Sequence, residues 1–237
     1  STQALSGVGK TGRGNAGGVS IVADSVEVLN GAVLDCSTYG EGNAGTVSVE
    51  ATDTAIFSGS NSEGFRSGAF SEVRSTGRGN VGGVRVIANV VEVRDNAQLS
   101  SSTYGEGNAG TVSIEANDTA AFSNGGLMSG VGETGRGNAG GLSVVANTVE
   151  VDNGTLLSST TLGDGDAGTV SVVANTVAVR DLSLLDSSTL GEGNAGTVRV
   201  EATDRVTFSN SVVSSIVGQG ARGRAGGVRI GANTIEI

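Results

Sequence analysis

"GRGNAGGVSIVADSVEV", residues 12–28, is a glycine-rich turn followed by two short runs in which apolar and polar residues alternate. The turn recurs down the chain, with its asparagine position filled by Asn15, Asn43, Asn80, Asn108, Asn138, Asp166, Asn194 and Arg224, at intervals of 28, 37, 28, 30, 28, 28 and 30 residues. Each copy leads into an alternating run such as "TVSVEA" or "GVRVIA", then a second such as "VVEV" or "RVTF", then a third around "AVLDCST" or "LLSSTT". Alternation with period two sends apolar side chains to one face of a strand. A fixed period of this length marks a solenoid, whose units bury their apolar faces only by stacking. The expected fold is therefore all-β: a parallel β-helix (β-solenoid) of about eight coils of 28–30 residues, with three parallel sheets and a thin core, forming one domain over 1–237. At about 4.8 Å per layer such a rod is roughly 40 Å long.

Stacking turns the repeat into columns. Val19, Val47, Val84, Val112, Leu142, Val170, Val198 and Val228 make one inward column, and Ile21, Val49, Val86, Ile114, Val144, Val172, Val200 and Ile230 a second. Val28, Phe57, Val93, Phe122, Val151, Val179, Phe208 and Ile237 fit a third, with one extra residue ahead of each phenylalanine. Asparagine tolerates the left-handed backbone of a sharp turn, and its amide can bond its counterpart in the next coil, so the asparagine positions read as a corner ladder. Two residues before them stand Arg13, Glu41, Arg78, Glu106, Arg136, Asp164, Glu192 and Arg222, alternating in sign except at Asp164 and Glu192. Neighbours about 5 Å apart pair when opposite in charge, which serves to fix coil register.

"ALSGVGKTG", residues 4–12, comes within one residue of a phosphate-binding loop. Such a loop needs a helix after it, yet here the glycine turn leads into a strand. The parallel stretches carry Glu133 and Gln219 where Lys10 stands. A carboxylate cannot replace the phosphate-binding lysine, so no nucleotide site is expected and the stretch is one turn of the repeat.

Composition agrees with a thin rod. Of 237 residues 41 are Gly, none is Pro or Trp, and aromatics make up 3% against 37% for all hydrophobic types. That apolar content, regularly alternating, argues against disorder. The net charge of −10, with scattered Lys and Arg, speaks against nucleic acid as a partner. No apolar run reaches the roughly 18 residues of a membrane helix. The single Cys36 makes no internal disulfide and reads as a small core residue. The sequence opens in mid-repeat and stops in mid-strand at "GANTIEI", as expected of a piece of a longer chain.

The units "GEGNAGTVSVEA" and "GRGNAGG…LSVVANTVEV…LLSSTTLG" resemble the repeat region of large filamentous-haemagglutinin-like exoproteins, particularly cyanobacterial ones, secreted by the two-partner route. The resemblance extends over essentially the whole chain. It implies a right-handed parallel β-helix, a secreted or outer-cell-surface location and a role as an adhesin shaft; the secretion domain and signal peptide of that family are not seen in this sequence.

Catalysis has little to work with, since without histidine there is no imidazole base and no His-based metal site. Enzymatic coils would depart from the repeat, whereas acidic residues here recur at equivalent positions. The expected role is non-enzymatic: a shaft presenting loops for surface, glycan or protein contact. A carbohydrate-binding or polysaccharide-degrading β-helix and an end-to-end self-assembling fibre subunit remain the alternatives. Two places break the repeat. Between Asn43 and Asn80 an insertion near 59–71, within "SGSNSEGFRSGAFSEV", offers Phe65, Arg66 and Phe70 as a candidate ligand contact. At "GDGDAG", Asp164 and Asp166 meet Glu192 of the next coil as a candidate calcium site; no other cofactor is expected. The runs "SSST" and "SSTT" are too interrupted to form a regular outward hydroxyl array.

Overall fold

The computed structural model describes residues 2–237. Among these there is no helix: eighteen strands lie in two all-parallel sheets, each strand pairing with its counterpart one coil away. We number the coils 1 to 8 by the turns at Asn15, Asn43, Asn80, Asn108, Asn138, Asp166, Asn194 and Arg224. The two alternating runs of each coil mostly join into one strand, as in Val19–Leu29 and Val47–Ser58, and separate only in coils 5 and 8. The third run forms a second sheet of three-residue strands, from Gln3–Leu5 to Val212–Ser214. The three expected segments of each coil thus lie in two continuous sheets. Between the sheets run two ladders of single-residue bridges, one through Val8, Thr38, Val73, Thr103, Val131, Thr161, Thr189 and Val217, the other through the charged column from Arg13 to Arg222.

The two inward columns from Val19 and Ile21 pair rung by rung to Val228 and Ile230. The third runs from Val28 through Phe57 and Phe122 to Phe208, while Ile237 lies beyond the last strand and is 95% exposed. The extra residue in the phenylalanine coils is absorbed as a register shift inside the strand, as between Ala23 and Ser25 opposite Ala51 and Thr54. A bulge of this kind takes up one residue without stopping the ladder. The Val, Ile, Leu, Ala and Phe side chains of these columns make one continuous core along the rod.

The asparagine ladder forms, each side-chain amide bonding its counterpart one coil on. Asn15 Oδ1 accepts from the Asn43 backbone N–H at 2.9 Å, and the pattern continues through Asn80, Asn108, Asn138, Asp166 and Asn194 to Arg224. The left-handed backbone is not on these asparagines. The preceding Gly42, Gly79, Gly107, Gly137, Gly165 and Gly193 carry φ of +135° to +148°. A Cβ at Gly107 would lie 1.8 Å from the Gly79 carbonyl oxygen, so close coil stacking itself demands glycine there. Left-handed asparagines occur at a separate corner, at Asn30, Asn96, Asn124, Asn153 and Asn210.

In the charged column three of the four arginines reach one coil onward: Arg13 to Glu41 at 3.1 Å, Arg78 to Glu106 at 3.4 Å and Arg136 to Asp164 at 3.4 Å. All six side chains are more than half exposed. Each pair is therefore worth only about 0.2–1 kcal/mol.

A serine column escapes a reading by periodicity alone. Ser6, Ser71, Ser101, Ser129, Ser159, Ser187 and Ser215 follow the short strands, with Cys36 in the same place. Ser129 Oγ donates to Gly110 O at 2.7 Å and accepts the N–H groups of Gly140 and Gly141 at 3.0 and 2.9 Å. It thus ties its strand to the turn that starts the long sheet. The "SSST" run is buried throughout, at Ser100, Ser101, Ser102 and Thr103. Burial, then the neighbouring Asp35 carboxylate, pushes the Cys36 thiol up to about 11, so it stays protonated and acts as a small core residue.

Candidate functional site on coil 3

Coil 3 follows the insertion. Its first part is an ordered hairpin in which Ser60 bridges Arg66 antiparallel and Asn61 Oδ1 accepts from the Glu63 and Phe65 N–H groups. Gly68–Phe70, inside the span expected to be inserted, is a regular rung of the short-stranded sheet. Phe65 at the hairpin tip is 60% exposed, and Arg66 Nη1 donates to Gln98 Oε1 at 3.3 Å. Phe65, Arg66 and Phe70 come together in one cleft of about 520 Å³, completed by Asp35, Tyr39, Arg74 and Gln98.

Aligned on the turn, coil 3 reads "SEVRSTGRG" where coils 1 and 5 read "SGVGKTGRG" and "SGVGETGRG". Glu72 and Arg74 thus replace two glycines, on the strand face that also bears Phe70. The glycines have a steric reason. A Cβ at Gly132 would lie 2.5 Å from the Tyr104 ring of the coil before it, and one at Gly218 would lie 2.3 Å from Leu190. In coil 3 the guanidinium fills that space and sits 5.7 Å from the centroid of the Tyr39 ring, within the range of a cation–π contact.

Glu72 holds Arg74 there. It is the one buried charged residue among the described residues, 3% exposed. One oxygen lies 2.8 Å from Arg74 Nη1, and the other accepts from Ser100 Oγ at 2.5 Å. Its own N–H donates to Ser37 Oγ at 3.2 Å. Burial raises the Glu72 carboxyl above its ordinary range, against the opposing effects of Arg74 and Ser100 and with a smaller upward push from Asp35. Burial and the same Glu72 charge push up the Tyr104 phenol. With both oxygens engaged and no open face, Glu72 has the geometry of a group that positions Arg74.

A second cleft of about 640 Å³ shares Tyr39 and Arg74 with the first and continues past Tyr104 and Gly132 to Leu162, with Lys10 and Glu133 at its rim. Three of the seven aromatic residues, Phe57, Phe122 and Phe208, are core; the other four, Tyr39, Phe65, Phe70 and Tyr104, all line these joined clefts.

Of the acidic trio, Asp164 and Glu192 sit on adjacent rungs of the charged ladder, while Asp166 belongs to the corner ladder. Asp164 faces Arg136, and Asp166 Oδ1 accepts from both the backbone N–H and the side-chain amide of Asn194, at 2.7 and 3.1 Å. Asp166 is thereby spent on the corner ladder, and no group of three or more acidic, thiol or imidazole side chains suited to a metal occurs among the described residues. Lys10 and Thr11 occupy a turn between the Val8 and Arg13 bridges, with a strand rather than a helix after it. No helix among the described residues is long and apolar enough to cross a membrane. No family model, curated protein or solved structure matches the chain.

Proposed function

We propose that the protein is part of the shaft of a secreted or outer-surface adhesin, a stiff rod whose work is to hold and display a ligand-contact face on coil 3. The observation that carries this reading is the contrast between the columns and that face. Core, asparagine and charged columns run through all eight coils, whereas the hairpin, Phe70, Glu72 and Arg74 depart from the repeat together and on one side. Departures confined to the core would concern packing; departures that gather exposed aromatics and cations around a cleft are features of recognition. The resemblance of the repeat to filamentous-haemagglutinin-like exoproteins agrees with this role.

Two measurements test it. Limited trypsin digestion is expected to cut first in the hairpin at Arg66 and to leave the coils on both sides protected. Beads coated with the protein are expected to hold to extracellular surface material and to lose that hold with the variant Glu72→Gly/Arg74→Gly. Early cleavage throughout the coils would refute the shaft, and equal retention by the variant would refute the contact face.

A further inference from the structure

We infer that the joined clefts of coils 1 to 6 bind a linear, uncharged oligosaccharide lying along the rod axis. The inference rests on the contact face proposed above and names its ligand. Three features of the groove select this class.

The first is direction. Tyr39, Arg74, Tyr104, Gly132 and Leu162 each follow the same bridge rung in coils 2 to 6, so they form one file parallel to the axis. With Lys10 of coil 1 the clefts span five layer spacings, about 24 Å at ~4.8 Å each. A chain of several sugar rings matches that length; a single small molecule does not fill it.

The second is surface chemistry. Aromatic faces at Tyr39, Tyr104, Phe65 and Phe70 are interleaved with donors at Arg66 and Arg74 and acceptors at Asp35 and Gln98. A sugar ring presents C–H faces to aromatics and a rim of hydroxyls that both donate and accept. Arg74 is suited to such a rim because Glu72 fixes its orientation, and its side chain is about one-third exposed. Rigid aromatic and arginine anchors of this sort carry most of the energy of a binding surface.

The third is charge. The cations Lys10, Arg66 and Arg74 are matched by the carboxylates Asp35, Glu72 and Glu133, so the groove is neutral on a chain of net charge −10. Nothing here attracts a polyanion. An extended peptide gains its affinity from a free strand edge, and the strands of coils 2 to 6 are paired on both sides.

The test is titration calorimetry of the whole chain against four neutral hexasaccharides, β-1,4-glucan, β-1,3-glucan, β-1,4-mannan and α-1,4-glucan, with the matching disaccharides, oligogalacturonate, and a displayed random-peptide library as comparison. At least one neutral hexasaccharide is expected to bind, tenfold or more tightly than its disaccharide. Tyr39→Ala and Tyr104→Ala should each weaken it tenfold or more. Glu72→Gly/Arg74→Gly gives coil 3 the glycines that coils 1 and 5 already carry, so this variant is expected to fold, to melt with the parent protein and to lose binding. Absence of binding by all four neutral hexasaccharides, binding by oligogalacturonate alone, or selection of peptides only, would each overturn the saccharide assignment. Those failures leave trypsin resistance untouched, whereas loss of resistance with intact sugar binding would overturn the shaft alone.

Discussion

Threonine and valine share one column through the middle of the rod, and replacing Thr103 by valine should stabilise the protein. Val8, Thr38, Val73, Thr103, Val131, Thr161, Thr189 and Val217 occupy successive rungs of the same bridge ladder. Thr38, Thr103, Thr161 and Thr189 are 0% exposed, and none of their hydroxyls has a hydrogen-bond partner. A buried hydroxyl left unpaired costs about 1–3 kcal/mol. Valine has nearly the same shape, and Val73 and Val131 already occupy the rungs on either side of Thr103, so the exchange adds no volume the column does not hold. Removing most of that penalty gives about 1–2 kcal/mol, or a rise in Tm of roughly 2–8 °C for a chain of this size. Thermal unfolding followed by circular dichroism and calorimetry measures it. Thr103→Ser, which keeps the hydroxyl and loses a methyl, should lower stability by about 1 kcal/mol and move Tm the other way. A fall in Tm for Thr103→Val would refute the reasoning, because it would mean that the hydroxyl has an acceptor in solution worth more than its desolvation.

Gly107→Ala should be among the most damaging single changes, since its Cβ would meet the Gly79 carbonyl oxygen at 1.8 Å on a backbone of φ +135°; a loss of about 3 kcal/mol or more is expected in chemical unfolding. Arg78→Glu sets three carboxylates in consecutive rungs between Glu41 and Glu106, so Tm should fall, more at low salt than at high; equal melting at both would dismiss the charged column as a register device. Glu72 gives a pH signature. Its carboxyl is raised in the fold by burial, with Arg74, Ser100, Asp35 and Tyr104 around it. The raised group contributes stability in full below its unfolded value, and that contribution is lost as pH rises through the folded value. Unfolding free energy of the parent relative to Glu72→Gln should therefore fall as pH climbs above the ordinary carboxylate range, and a flat difference would count against burial as the dominant cause.

The repeat made the fold legible because parallel stacking leaves few choices. Once the turn positions are aligned, a one-residue slip would put Val47 and Val49 outside and Ser48 inside, so the observed columns follow from spacing alone. The corner chemistry was less legible. Asparagine suits both a left-handed turn and a side-chain ladder, and only the geometry shows that the glycine before it takes the strained backbone while asparagine caps the next rung. The serine column is hidden for a related reason: in "SSST" every residue is a small hydroxyl, and periodicity does not say which one turns inward.

The site was half legible. Its insertion stands out by length, and the structure sets Phe65, Arg66 and Phe70 around one cleft. Glu72 and Arg74 make no change of length and escape a search for broken spacing, yet the alignment of "SEVRSTGRG" with "SGVGKTGRG" exposes them as side chains where the scaffold uses glycine. The physical content of that substitution lies in how large residues and glycines share space along the file. Gly132 and Gly218 are small because Tyr104 and Leu190 of the coils before them fill the space. An arginine in that slot has to share it with Tyr39, and its charge, partly withdrawn from water, needs a partner at fixed distance. The second departure, Glu72, supplies that partner two residues earlier on the same face. The two changes are therefore one feature, and each alone should be worse for the coil than both together. Arg74→Gly by itself leaves a buried carboxylate unpaired, whereas the double change restores the ordinary repeat; a double-mutant cycle in which the two substitutions add independently would refute that coupling.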